Sequence, residues 1–105
     1  MDQFAVYRVR SLLGADRRHS ELVVIRQHAH ARAVETVIVA PLHGKDRLPP
    51  LERIRPLVAI EGREYIVAVD RLAAIDRRTL GERIGSLDAH RYDLIRALDV
   101  LLTGF

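Results

Sequence analysis

The sequence predicts a mainly β domain that closes with a single α-helix. Three observations carry this. Short runs rich in β-branched and aromatic residues recur as far as Ile75. Two of them flank Glu61-Gly62-Arg63-Glu64, a hairpin signature in which Gly62 supplies the positive φ of a tight turn. Only from Ala89 to Leu102 does the apolar spacing keep a helical period. The 105 residues suffice for one hydrophobic core, so residues 1–105 are expected to form one domain.

Phe4-Ala5-Val6-Tyr7-Arg8-Val9 reads as the first strand. Arg10 to His19, with Gly14 and the charged Asp16-Arg17-Arg18-His19, reads as a hairpin loop. Glu21 to Gln27 forms the second strand, and a polar stretch from His28 to Glu35 follows. Thr36 to Leu42 gives the third, with Pro41 marking its end or an edge position, since proline donates no ladder hydrogen bond. His43 to Pro56, with Gly44 and Pro49-Pro50, carries no clear element. Leu57–Ile60 and Tyr65–Val69 are the two arms of the hairpin, and Leu72–Ile75 adds a short strand. Leu80 to Ser86 reads as a turn or a single helical turn, because Gly81 and Gly85 penalise anything longer.

In the helix, Asp88 is the expected N-cap and Gly104 the expected left-handed C-terminal residue. Ile95, Leu98, Leu101 and Leu102 recur at helical spacing. Ala97 and Val100 widen that stripe beyond what one core contact requires. A dimer seam through Leu98, Leu101 and Leu102 is the simplest account, a deeply buried helix the alternative. The sequence finishes on Thr103-Gly104-Phe105. An aromatic ring left in water forgoes about 1.5–3 kcal/mol of burial, so this segment is expected to pack on its own fold, a second copy or a target.

The composition excludes more than it selects. No apolar run nears the roughly 20 residues of a membrane span, and no basic-then-apolar leader opens the chain. There is no cysteine, so disulfides and thiol chemistry are excluded and the cytoplasm is the natural compartment. The net charge of +3 comes from 17 basic residues interleaved with 14 acidic ones, as on a solvated surface rather than a one-sided nucleic-acid patch. His28 and His30 share a strand face, but two imidazoles fall short of a zinc site. No nucleophile sits in an elbow, and no glycine-rich phosphate loop is present. The expectation is a non-enzyme with no catalytic residues, metal or cofactor.

Taken in order, the residues resemble the CcdB family, the toxin half of toxin–antitoxin modules. Gln3-Phe4-Ala5-Val6-Tyr7, Leu22-Val23-Val24 with Gln27, and Val39-Ala40-Pro41-Leu42 are similar to that family's first three strands. From Pro56 to Phe105 the pattern runs without a gap, through Pro56-Leu57-Val58-Ala59-Ile60, Gly81-Glu82, Leu87, Asp93-Leu94-Ile95, Ala97-Leu98 and Gly104. The resemblance implies an SH3-like barrel or antiparallel sheet with a small additional sheet and one C-terminal helix. It also implies a homodimer that poisons DNA gyrase by binding its A subunit and trapping the cleaved-DNA complex. A CcdA-like antitoxin would neutralise it through a segment that orders on binding. The pair would repress their own operon, so that contact with DNA is indirect.

The family's poisoning tip is Trp-Gly-Ile, its Trp stacking on an Arg of gyrase; here those positions are Thr103, Gly104 and Phe105. The resemblance thus implies a gyrase contact at Leu102, Thr103, Gly104 and Phe105. Loss of a Trp at a hot spot costs about 2 kcal/mol or more. Two alternatives follow: a diverged CcdB fold that binds antitoxin and co-regulates its operon without poisoning gyrase, and a MazF-like mRNA endonuclease.

Overall fold

The computed structural model describes residues 3–10, 19–28, 36–45 and 54–104. The expected loop after Arg10, the polar stretch around His30, the segment around Pro49 and Phe105 lie wholly or mostly outside them. The described chain is an antiparallel sheet curled into a half-barrel around one C-terminal helix. Its strands are β1 (Ala5–Arg10), β2 (His19–His28), β3 (Thr36–Gly44), β4 (Leu57–Ile60), β5 (Arg63–Val67), β6 (Ala73–Asp76) and β7 (Arg83–Ser86). The helix α1 spans Arg91–Thr103.

The strand order is β4-β5-β3-β2-β1-β7, with β6 also on β3. β3 is the hinge of this topology: Thr36–Val39 pairs with β6, whereas Leu42–Gly44 pairs with β5. Pro41 falls in the gap between the two partners. Its carbonyl accepts from Ala68 N–H at 2.9 Å on that side, so the donor it lacks is missed by neither neighbour. The strand therefore runs on past Pro41 and beyond the expected Leu42, to Gly44. The β4–β5 hairpin is not a separate small sheet, as the resemblance implies, but the edge of the same seven-stranded sheet, joined through β3. Its turn is just Glu61-Gly62, at φ 49° and 78°, and Arg63-Glu64 already belong to β5.

Alternation sorts the strands' side chains onto two faces. Val23 and Ile25 of β2 point to the main core with Val6, Ala40, Leu42, Val58, Ile60 and Val67, beneath Leu94 and Ala97 of α1. Val24 points the other way, into a smaller cluster with Val37 and Val39 that Tyr7, Leu22, Ile75 and Leu80 help to cover.

Three sequence expectations are corrected here. Leu80–Ser86 is not a turn: its second half is β7, antiparallel to β1, with Ala5 opposite Ser86 and Val6 opposite Gly85. A long-range partner overrides a locally poor strand former. Asp88 is not the helix N-cap. It opens a 3₁₀ turn, Asp88–His90, that feeds α1; its N–H is taken by Ser86 Oγ at 3.1 Å and its carboxylate faces Arg91 at 3.4 Å. The helix starts at Arg91 rather than Ala89.

Phe4, finally, precedes β1 in a left-handed conformation, φ 66°, that bulky residues rarely adopt. Two 2.7 Å backbone hydrogen bonds hold it there, from Phe4 N–H to Val24 C=O and from Leu87 N–H to Phe4 C=O. Its ring is fully buried in the main core.

Candidate functional site

The C-terminal helix rests on the concave side of the sheet because Leu94 and Ala97 are apolar and adjacent on one face. It also packs over the 3₁₀ turn Val69–Arg71. Asp70 of that turn is gripped by Arg55, with Nε–Oδ1 at 3.1 Å and Nη2–Oδ2 at 2.9 Å. The Arg55 hydrogen bonds hold the Asp70 carboxyl below its usual range. This bidentate pair ties the residue before Pro56 to the platform beneath the helix. His90 adds a second tie, its Nε2 accepting from Ala59 N–H of β4 at 3.3 Å.

Away from the core the helix presents an apolar stripe. Tyr92 is 79% exposed, Ile95 38% and Leu102 76%, whereas Leu101, 37% exposed, lies on the same side as Leu94 and Ala97. At about 100° per residue, Tyr92, Ile95 and Leu102 fall within about 80° of one another, and Ile95 and Leu102 stand roughly 110–130° from the middle of the Leu94–Ala97 face. The helix thus carries two apolar faces, one used by the fold and one not. Leu98 sits between them, half-buried against the core.

Gly104 ends the helix at φ 81°, its N–H bonded to Val100 C=O at 2.8 Å. The Thr103 hydroxyl turns back to the Asp99 carbonyl one turn earlier. Leu102, Thr103 and Gly104 are all exposed, so within the described residues the last turn does not pack on its own fold. Of the residues singled out by sequence, Leu102, Thr103 and Gly104 form one exposed tip, and Leu101 lies beside it. Phe105 lies outside the described residues.

Sequence reasoning placed Ile95 in the apolar stripe but not in the site, and it missed Tyr92. Their spacing to Leu102, at i, i+3 and i+10, was a readable signal that the apolar stripe spans the whole helix. Among the described residues, no three metal-ligating side chains come together, and no helix is long and apolar enough to cross a membrane.

Comparison with known proteins bears on this site. The family model described as "CcdB protein" matches residues 3–104. Among solved structures, an endoribonuclease in complex with its cognate antitoxin, from Mycobacterial species, is similar at a TM-score of 0.71. Identity is 15%, over 96% of this chain and 93% of that one, a likeness of fold. None of the curated proteins compared matches the chain.

Proposed function

The chain belongs to the CcdB family, and from that premise we propose that it is the toxin of a type II toxin–antitoxin module and acts by poisoning DNA gyrase. The exposed helical tip is the observation that supports this reading. Leu102, Thr103 and Gly104 stand clear of the fold, with Phe105 next in sequence, at the positions where the family carries its gyrase contact. The toxin engages the A subunit as a homodimer, Leu98, Leu101 and Leu102 forming the seam. A two-fold toxin suits a two-fold target because each protomer offers the same patch. The antitoxin partner is a CcdA-like protein, and the antitoxin in the similar endoribonuclease complex supports a partner of that class. No step of this mechanism is enzymatic on the toxin's side, and it needs no cofactor. Its site of action is the cytoplasm.

The test is expression in cells with ordinary gyrase and in cells whose gyrase A lacks the family's target Arg. Growth arrest with double-strand breaks only in the first is the expected result. Equal growth in both, without breaks, overturns the proposal.

One observation favours a second reading. Thr103 replaces the family's Trp, and its hydroxyl is folded onto the helix backbone, so it offers gyrase no stacking face. The diverged reading, an antitoxin-binding co-regulator without toxicity, predicts tight antitoxin binding and no growth arrest. Failure to bind the antitoxin encoded beside it excludes that reading.

A further inference from the structure

The open seam of the half-barrel is set by its two edge strands. Where the strand path ends on β4 and on β7, the two edges approach without pairing. Ile60 Cγ2 lies 3.0 Å from where a Cβ on Gly85 would sit, so any side chain there would push the hairpin back by a few tenths of an ångström. Beside that contact is a cavity of ≈ 350 Å³, lined from β1 by Arg8, from the hairpin by Glu61, Arg63 and Tyr65, and from β7 and its approach by Glu82 and Arg83. Its position is set by backbone bonds, Arg8 N–H to Glu82 C=O at 2.8 Å and Gly81 N–H to Arg8 C=O at 3.0 Å.

We propose that this cavity binds a nucleotide through its phosphate, presented either by a free mononucleotide or by the 5′ end of a single strand. Three arginines from three different strands, Arg8, Arg63 and Arg83, line one concavity. Among the described residues, no side-chain hydrogen bond or ion pair occupies Arg8 or Arg63. Arg8 and Arg63 are the cations left to meet an incoming anion, and the planar guanidinium fork matches phosphate oxygens two at a time.

A bare anion site would not also carry two carboxylates. Glu61 and Glu82 accept hydrogen bonds only, so they select a ligand that brings donors with its phosphate, as sugar hydroxyls and base amino groups do. Tyr65, half-buried, supplies a ring against which a base can stack. The volume lies at the small end of ligand pockets and suits one nucleotide unit.

The experiment is calorimetric titration of the full chain, without gyrase or antitoxin, with AMP, adenosine, inorganic phosphate and a 5′-phosphorylated trinucleotide. Failure here therefore leaves the gyrase reading untouched. Saturable AMP binding is expected, with adenosine and inorganic phosphate each at least about tenfold weaker, since each lacks one half of the recognition. Arg63→Ala, on an exposed hairpin position, weakens AMP by about tenfold with unchanged melting temperature, and Arg63→Lys recovers part of the loss. The Glu82→Gln variant narrows the gap between AMP and phosphate.

A trinucleotide that binds at least as tightly as AMP assigns the site to a strand end; a weaker one assigns it to free nucleotides. Absence of saturable binding by any nucleotide overturns the proposal. So does phosphate binding as tightly as AMP, or full AMP affinity in the Arg63→Ala protein.

Discussion

Leu102→Ala, set beside Leu94→Ala, separates the two apolar faces of the helix. Leu102 is 76% exposed, whereas Leu94 is 0% exposed and lies in the main core. Truncating an exposed side chain away from caps and ion pairs shifts stability by no more than about 0.5 kcal/mol, so the Leu102 variant should melt with the parent. Truncating Leu94 costs about 2–5 kcal/mol, a fall in melting temperature of roughly 10 °C or more for a domain of this size. Binding inverts the ranking. Covering the remaining three-quarters of a leucine side chain on a partner stabilises the complex by about 1–2 kcal/mol, or roughly 5- to 30-fold in affinity. Three measurements are needed: thermal denaturation, sedimentation equilibrium for the dimer, and affinity for a gyrase A fragment beside toxicity in cells. A Leu102→Ala protein with parental melting, weaker gyrase binding and reduced toxicity is the expected result. Parental affinity for both gyrase and a second copy would refute the assignment of this face to partners. A large drop in melting temperature would instead refute its exposure.

Gly81→Ala should be among the most damaging single-methyl changes in the protein. Its Cβ would overlap the Arg8 carbonyl oxygen, a backbone atom that cannot swing aside. Overpacking of this kind costs about 1–3 kcal/mol, and urea denaturation showing a midpoint equal to the parent's would contradict the close approach. Gly104→Ala meets nothing within 4 Å, so only the left-handed backbone at φ 81° resists it. A loss of about 1–2 kcal/mol is expected from that conformation, and a gain in helicity and stability would show the cap to be dispensable. Asp76 titrates low, at about 2, because the Arg78 side chain and backbone N–H bond its carboxylate. A depressed folded pKa stabilises the protein above the ordinary carboxylate value of 3.8 and loses that contribution as pH falls toward 2. Carboxyl NMR should place the midpoint there, and Arg78→Ala should return it toward 3.8.

What the sequence revealed of this fold follows from how local each signal is. β1 through β3 were readable because β-branched runs alternate between two faces, and the Glu61-Gly62 turn because its geometry demands positive φ at two successive residues. Gly104 was readable as a helix stop for the same local reason. β7 was not. Arg83-Ile84-Gly85-Ser86 has weak strand propensity, and it is extended because β1 offers it a ladder and Gly85 leaves room for Ile60. The left-handed Phe4 was equally hidden, since nothing in Gln3-Phe4-Ala5 announces that Val24 and Leu87 will clamp its backbone from both sides. The seam cavity depends on the placement of β7, so its arginines looked like ordinary surface charge until the two edges were brought together.

The helix shows where a correct pattern still leaves the decision open. The apolar stripe was visible as too wide for one contact, and a dimer seam through Leu98, Leu101 and Leu102 was its simplest reading. Periodicity orders residues around an axis but does not say which direction is inward. The sheet decides that: with Leu94 and Ala97 facing the core, Leu98 becomes a shared boundary residue, while Tyr92, Ile95 and Leu102 form the outward face. A partner that meets the helix along this stripe touches Tyr92 and Ile95 well before it reaches the tip. Recognition by a second copy, by antitoxin or by gyrase therefore need not depend on Thr103 alone. The aromatic surface lost with the family's Trp has a counterpart in Tyr92, about 16 Å back along the same helix, too distant to replace the Trp at the same contact. Tyr92→Ala consequently distinguishes the roles: loss of dimer or antitoxin binding with toxicity per dimer unchanged assigns the stripe to assembly, and the tip to gyrase.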